Sequence, residues 1–144
     1  MSIEVYIQRQ ALIAKINRKN WWHVPPSDPK AYEKRGKFYS STFQECMFWG
    51  RPLDAPQRVE VKNPVVGDEL EVWRVLFGAP LKVPDLNSPR LLKWRWKVDS
   101  QMKRAALRKG YDAIAIMSPS GFRKFKEGRL PSSVELNVLN PTGA

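Results

Sequence analysis

The stretch Ser132-Ser133-Val134-Glu135-Leu136-Asn137-Val138-Leu139-Asn140-Pro141 alternates apolar and polar side chains from Val134 to Val138 and closes on Asn-Pro. That period predicts a half-buried strand, with Leu136 and Val138 on one face and Glu135, Asn137 and Leu139 on the other. Glu135 is the only acidic residue from Gly128 onward. A carboxylate on such a strand needs a solvent-facing position, a cationic partner or a chemical task. The task that suits it is stabilising a developing positive charge, for which the rest of the chain must supply a substrate pocket.

Working outward, Tyr111 to Met117 reads as a buried strand, separated from the Glu135 strand by a polar loop over Ser118 to Pro131. A helix is expected before it, N-capped near Asp99, with Met102, Ala105, Ala106 and Lys109 on one face and Gly110 as its stop. Leu70 to Leu76 fits a strand or a short helix ended by Gly78, and Arg58 to Asn63-Pro64 alternates like a strand. Phe38-Tyr39-Ser40 suits a short strand. Thr42-x-x-Glu45 then has the capping-box spacing, and the helix it opens would carry Phe43, Cys46 and Met47 on one face and stop at Gly50. Cys46 on that apolar face is expected to be inert core. Asn20-Trp21-Trp22-His23-Val24 is a short strand stopped by Pro25-Pro26, with a helical turn expected around Ala31 to Lys34. Over residues 3–16 the first half alternates like a strand and the second fits a short helix. Short strands with interspersed helices and no regular βαβ rhythm favour an α+β fold.

At 144 residues, with no repeat or low-complexity linker, residues 1–144 are expected to form one domain. One cysteine excludes an intramolecular disulfide, and one histidine leaves too few ligands for an ordinary His/Cys zinc site. No apolar run is long enough to span a bilayer and the first residues do not resemble a signal peptide, so a cytoplasmic protein without a membrane partner is expected. The formal charge of +11 is unevenly distributed, with a balance of +3 over residues 1–80 and +8 over residues 81–144. Arg90 to Lys109 holds eight of the cations against Asp99 alone. Such a surface attracts polyanions. Within it, Lys93, Trp94, Arg95, Trp96, Lys97, Lys103 and Arg104 form the candidate nucleic-acid surface, while Trp94 and Trp96 equally fit an edge strand with its tryptophans on the core.

The order of these pieces resembles the ADP-ribosyltransferase superfamily. An aromatic-aromatic-His strand comes first, then a hydroxyl-rich strand-to-helix corner from Phe38 to Thr42. The Val59-to-Val66 segment and Lys109-Gly110-Tyr111-Asp112 precede the final Glu135 strand. The resemblance covers most of residues 20–141 and is nearest to small toxin-type or phage-type mono-ADP-ribosyltransferases with a histidine in the first strand. It implies a split β-sandwich of two small facing sheets with flanking helices, and a cleft that holds NAD bent, with no metal. It also implies Glu135 as the catalytic carboxylate beside the ribose, His23 on a ribose, and Val24, Tyr39, Ser40, Ser41 and Thr42 around the nicotinamide and phosphates. Val24-Pro25 stands where relatives often have Gly and a small hydroxyl residue, and Ser133 stands where arginine- and asparagine-modifying relatives place a Gln or Glu.

Combined with the charge, this implies transfer of ADP-ribose to a nucleic acid or a nucleic-acid-associated protein. The family's small members point to a toxin or a phage–host conflict effector, in which an immunity or antitoxin partner would be a further component. A basic nucleic-acid-binding module without catalysis is the alternative reading, and an NAD glycohydrolase with water as acceptor is another. The bland roles are also open. His23 can be a hydrogen-bonded core histidine, the hydroxyls can be helix caps, and Glu135 can be a surface partner for a Lys or Arg.

Overall fold

Ala113-Ile114-Ala115-Ile116 is apolar at every position because helices cover both of its faces. The computed structural model describes residues 3–47, 55–85 and 87–140. In chain order the elements are α1 (Ile3–Arg18), α2 (Ala31–Arg35), β1 (Lys37–Tyr39), α3 (Phe43–Met47), β2 (Pro64–Gly67), α4 (Glu69–Phe77), α5 (Leu91–Arg108), β3 (Ala113–Ile116), α6 (Pro119–Lys126) and β4 (Glu135–Val138). The fold is α+β, built on a mixed four-stranded sheet in the order β1-β4-β3-β2. β4 is antiparallel to both neighbours, whereas β2 and β3 run parallel and are joined through α4 and α5. Among the described residues, no helix is long and apolar enough to cross a membrane.

One face of the sheet packs Leu136, Ala113 and Ala115 against Leu12 and Ile16 of α1 and Phe125 of α6. The other packs Ile114, Val65 and Leu139 against Val72 and Leu76 of α4 and Val98, Met102, Ala105 and Ala106 of α5. The period-2 reading of the Glu135 stretch therefore holds: Leu136 and Leu139 are both fully buried, in different cores. Each such side chain contributes about 1.5–3 kcal/mol by leaving water.

Several local expectations change. Residues 3–18 form one continuous helix, including the half that alternates like a strand. Among the described residues the early alternation has no neighbouring strand to pair with, and Ile3, Tyr6 and Ile7 remain exposed on α1. The strand expected from residue 58 shrinks to Pro64–Gly67, because side chains take the backbone groups that a partner strand would have used. Asn17 does this at Val61, donating from Nδ2 to its carbonyl (2.8 Å) and accepting its N–H at Oδ1 (2.7 Å). Asp112 accepts from the N–H groups of Lys62 (2.8 Å) and Asn63 (2.9 Å). The Asp of Lys-Gly-Tyr-Asp thus sets the register in which β2 meets β3.

Leu70 to Leu76 lies in a helix, capped by Asp68 accepting from the Glu71 N–H and closed by Gly78 at φ +68°. The helix expected from Asp99 begins two turns earlier, at Leu91, so Trp94 and Trp96 are helical and the edge-strand reading fails. Asp99 is no cap: its carboxylate is bound at i+4 by Arg95 (3.2 Å). The supposed loop over residues 118–131 contains α6, with Ser118 as N-cap and Pro119 in the first turn.

The Thr42 cap on α3 is present, the Glu45 N–H donating to its hydroxyl at 3.1 Å, although the Glu45 side chain turns to Ser133 instead of reaching back. Gly50 and the side chains of Phe43 and Cys46 lie outside the described residues. In place of a second facing sheet, the described residues show two single bridges, Trp21 to Gln57 and Trp22 to Ser40. Pro25-Pro26 cannot prolong that ribbon, since proline has no N–H to donate.

Gly36 links α2 to β1 at φ +91°, and a Cβ there would collide with the Asn137 side chain, whose Nδ2 donates to the Arg35 carbonyl (2.8 Å). Gly36→Ala is therefore expected to destabilise the protein by at least about 2 kcal/mol. Asp112→Ala should cost about 1–3 kcal/mol by removing the charged acceptor of the Lys62 and Asn63 N–H groups. Urea unfolding of both variants checks these values, and a loss under about 0.5 kcal/mol in either would contradict its assigned role.

Candidate functional site

Glu135 is the first residue of β4, at the end of a strand held by neighbours on both sides. Just before it, Ser41 is buried and bonds Val134 twice, donating to its carbonyl (3.1 Å) and accepting its N–H (3.2 Å). The corner after β1 is thereby tied to the residue that precedes Glu135. Ser40 is paired through its backbone with Trp22, at 2.8 and 3.0 Å, which brings the aromatic segment to the same corner.

Two clefts meet at Ser40 and Glu135, which line both. The first, about 420 Å3, lies between the N-termini of α4 and α6 and presents Glu45, Asp68 and Glu69 beside Ser118 and Ser133. The second, about 380 Å3, lies between the Val24-Pro25-Pro26 segment and α5 and presents Arg35, Arg95, Trp96 and Asp99. Both fall in the range of small-molecule sites. A larger apolar hollow of about 500 Å3 between α1, α6 and β2 shares no residue with either. Glu4, Gln8, Arg9, Glu71, Lys126 and Glu127 line it beside its apolar side chains, but none of the candidate site residues lies there.

Arg95 organises the floor between the clefts, its guanidinium bridging Glu69 (2.6 Å) and Asp99 (3.2 Å). Glu135 has no ion pair of its own among the described residues. Burial, the neighbouring negative charge of Asp99 and, less strongly, Glu69 push its carboxyl up to about 7, against the opposing pull of Arg95. Burial likewise raises Asp99 to about 6, again opposed by Arg95. The site therefore holds a carboxyl that titrates near neutrality, a property that clusters at functional positions.

The other expected ligands fall into three groups. Val24 and Ser40 line the clefts. Ser41 and Thr42 are structural, one clamping Val134 and the other capping α3. His23 and Tyr39 lie behind the cleft wall. His23 is buried, with Nδ1 against the Phe38 carbonyl (2.7 Å) and Nε2 against the Tyr32 hydroxyl (2.9 Å). A carbonyl only accepts, so the neutral ring carries its proton on Nδ1 and accepts at Nε2. Burial lowers the pKa of His23, and burial followed by the nearby Tyr32 pushes Tyr39 up to about 12. The Tyr39 hydroxyl donates to Gln57 (3.0 Å).

Of the basic candidates, Lys93, Lys97 and Arg104 are exposed on α5, whereas Trp94 is half-buried against the α4–α5 core. Lys103 does not reach the surface expected for it. It is buried and donates to the carbonyls of Tyr32 and Glu33, satisfying the C-terminal end of α2. Arg95 belongs to the site's ion network. Glu69, Asp99 and Arg35 were not anticipated as site residues. The i, i+4 spacing of Arg95 and Asp99 was the one local signal available; Glu69 arrives only through the packing of α4 on α5. Among the described residues, no group of three His, Cys, Asp or Glu is placed to hold a metal ion. The chain matches no known protein-family model, no curated protein and no solved structure.

Glu135 gives a direct stability test. Its folded pKa of about 7 lies above the ordinary value of 4.5, so the folded protein holds this proton more tightly. Stability from that proton is full below about pH 4.5, declines as pH rises and is gone above about 7. Glu135→Gln should accordingly be more stable than the parent by about 2–3 kcal/mol at pH 8 and indistinguishable from it at pH 4. Equal stabilities at pH 8 would contradict a desolvated carboxyl.

Proposed function

We propose that this protein is an NAD-dependent mono-ADP-ribosyltransferase of the α+β class, with Glu135 as its catalytic carboxylate and a polyanionic acceptor such as a nucleic acid. The observation that carries the reading is the position of Glu135 at the junction of an acid-lined cleft and a second cleft that presents Arg35. NAD is bipolar in the same sense: its nicotinamide is a pyridinium cation, and its two phosphates are anionic. The acid-lined cleft of Glu45, Asp68 and Glu69 suits the pyridinium, while Arg35 in the second cleft suits the diphosphate. The nicotinamide–ribose bond would then lie beside Glu135.

Breaking that bond moves its electron pair onto the pyridinium nitrogen, releasing neutral nicotinamide and leaving positive charge on the ribose. An ionised Glu135 stabilises this charge and orients the sugar through a hydroxyl, and the partly enclosed clefts limit water around it. Desolvation makes the bare carboxylate costly, so an approaching cation gains more from it than in water. His23 and Tyr39 act at one remove, through the wall formed by β1. The split two-sheet sandwich belongs to this proposal as the arrangement that the described single sheet and bridged aromatic ribbon would represent in reduced form.

Nicotinamide release and transfer of labelled ADP-ribose to DNA, RNA and protein acceptors test the reading. Glu135→Gln is expected to lower nicotinamide release by about 10²–10³-fold. In the parent, kcat/KM should rise about tenfold per pH unit up to about 7 and then level, because the ionised carboxyl is the active form. Absence of NAD turnover with every acceptor would sink the proposal. Nicotinamide release without labelled acceptor would replace transfer with hydrolysis.

A further inference from the structure

We propose that the exposed face of α5 beside the Glu135 cleft is a platform for a single-stranded polynucleotide, with a base stacked on Trp96 and phosphates on Lys93 and Lys97. The role of that strand as ADP-ribose acceptor rests on the transferase reading; its binding to this face does not.

The structure divides the basic stretch of α5 into cations that are used internally and cations that face water. Arg95 is committed to Glu69 and Asp99, and Lys103 to the end of α2. Lys93, Lys97, Arg104 and Arg108 remain exposed, at spacings of four, seven and four residues that put them on one side of the helix. Trp96, three residues after Lys93, borders this stripe and is 45% exposed.

A solitary exposed aromatic is ordinary on a protein surface. The setting of Trp96 is what distinguishes it. The indole separates the Glu135 cleft from a neighbouring hollow of about 360 Å3 that Lys34 and Lys97 also line. The Arg35 guanidinium lies 5.1 Å from the ring centroid, holding a cation against the aromatic face. An aromatic plane between cations matches the two recurring parts of a polynucleotide, a flat base and a phosphate. An acidic polypeptide would use the cations and leave the indole idle.

The acids near this face do not cancel it. Asp99 is held by Arg95, Asp28 accepts the Lys30 N–H, and Glu33 is exposed on α2 among Lys34 and Arg35. A single strand fits better than a duplex because paired bases are already stacked on one another and cannot lie on the indole. Stacking reads no base edge, so binding should tolerate sequence. Since Trp96 also lines the Glu135 cleft, a base held there is next to the reacting bond.

Anisotropy titrations of the whole protein with labelled oligo-dT and oligo-U of about 12 nucleotides, and with duplex DNA of equal length, test the platform. Both single strands should bind more tightly than the duplex; whichever binds better identifies DNA or RNA as the source. Trp96→Ala should weaken binding about tenfold or more while Trp96→Phe retains most of it, which separates stacking from bulk charge. The Lys93→Gln, Lys97→Gln double variant should reduce the slope of log affinity against log salt by about 1.4.

Equal affinity for the duplex, an unaffected Trp96→Ala variant, or displacement by poly-glutamate as effective as by unlabelled strand would each overturn the platform. The last result would assign the face to an acidic protein. Strand binding without ADP-ribose transfer would remove the acceptor role and leave the platform standing. Transfer that is indifferent to Trp96→Ala would likewise remove the acceptor role from a strand held on this face.

Discussion

β4 is the element on which the rest of the structure depends. It is hydrogen-bonded along both edges, to β1 and to β3; its Leu136 enters one core and Leu139, immediately after it, enters the other. A strand so placed can shift neither sideways nor by one residue, because a one-residue slip would send Leu136 and Leu139 to the wrong layers. Glu135, at its first position, inherits that rigidity. A desolvated carboxylate is useful to chemistry only if it cannot relax toward water or a neighbouring cation, and its strand denies it that freedom.

Side chains extend the same constraint where the main-chain ladder stops. Ser41 supplies both a donor and an acceptor to Val134, and Asn17 does the same for Val61. Asp112 gathers the two N–H groups ahead of β2. The corner after β1 is therefore not a cofactor cradle built of free hydroxyls. Ser41 and Thr42 are committed to the backbone, and Ser40 alone of the three lines the clefts. His23 follows a related logic, its two ring nitrogens joining β1 to α2 through Phe38 and Tyr32.

Electrostatically, the protein keeps two populations of charge apart. Near Glu135, carboxylates outnumber cations and Arg95 is shared among them, so burial and repulsion hold protons on the site near neutral pH. Outside it, the surface of α5 is almost purely cationic. The overall charge of +11 thus describes the exterior and conceals an acidic interior cleft. That contrast separates the charge of the site from the charge of the surface around it.

Much was legible from residues alone. The alternation around Glu135 depends only on the pleat, so the strand and the faces of Leu136, Asn137 and Val138 could be read directly. The Thr42 cap and the Gly78 and Gly110 stops are local chemistry and were equally readable. The alternating Ile3-to-Ile7 run, the start of α5 and the helix hidden after Ser118 were not, because short apolar or basic runs satisfy helix and strand periods alike until a packing partner chooses. In the site, sequence marked Glu135, Ser40 and Val24. Only the tertiary structure turned His23 and Lys103 inward, brought Glu69 across to Arg95 and set Trp96 beside Arg35. Those outcomes depend on which buried polar group reaches a partner, a condition met in space between residues far apart in the chain.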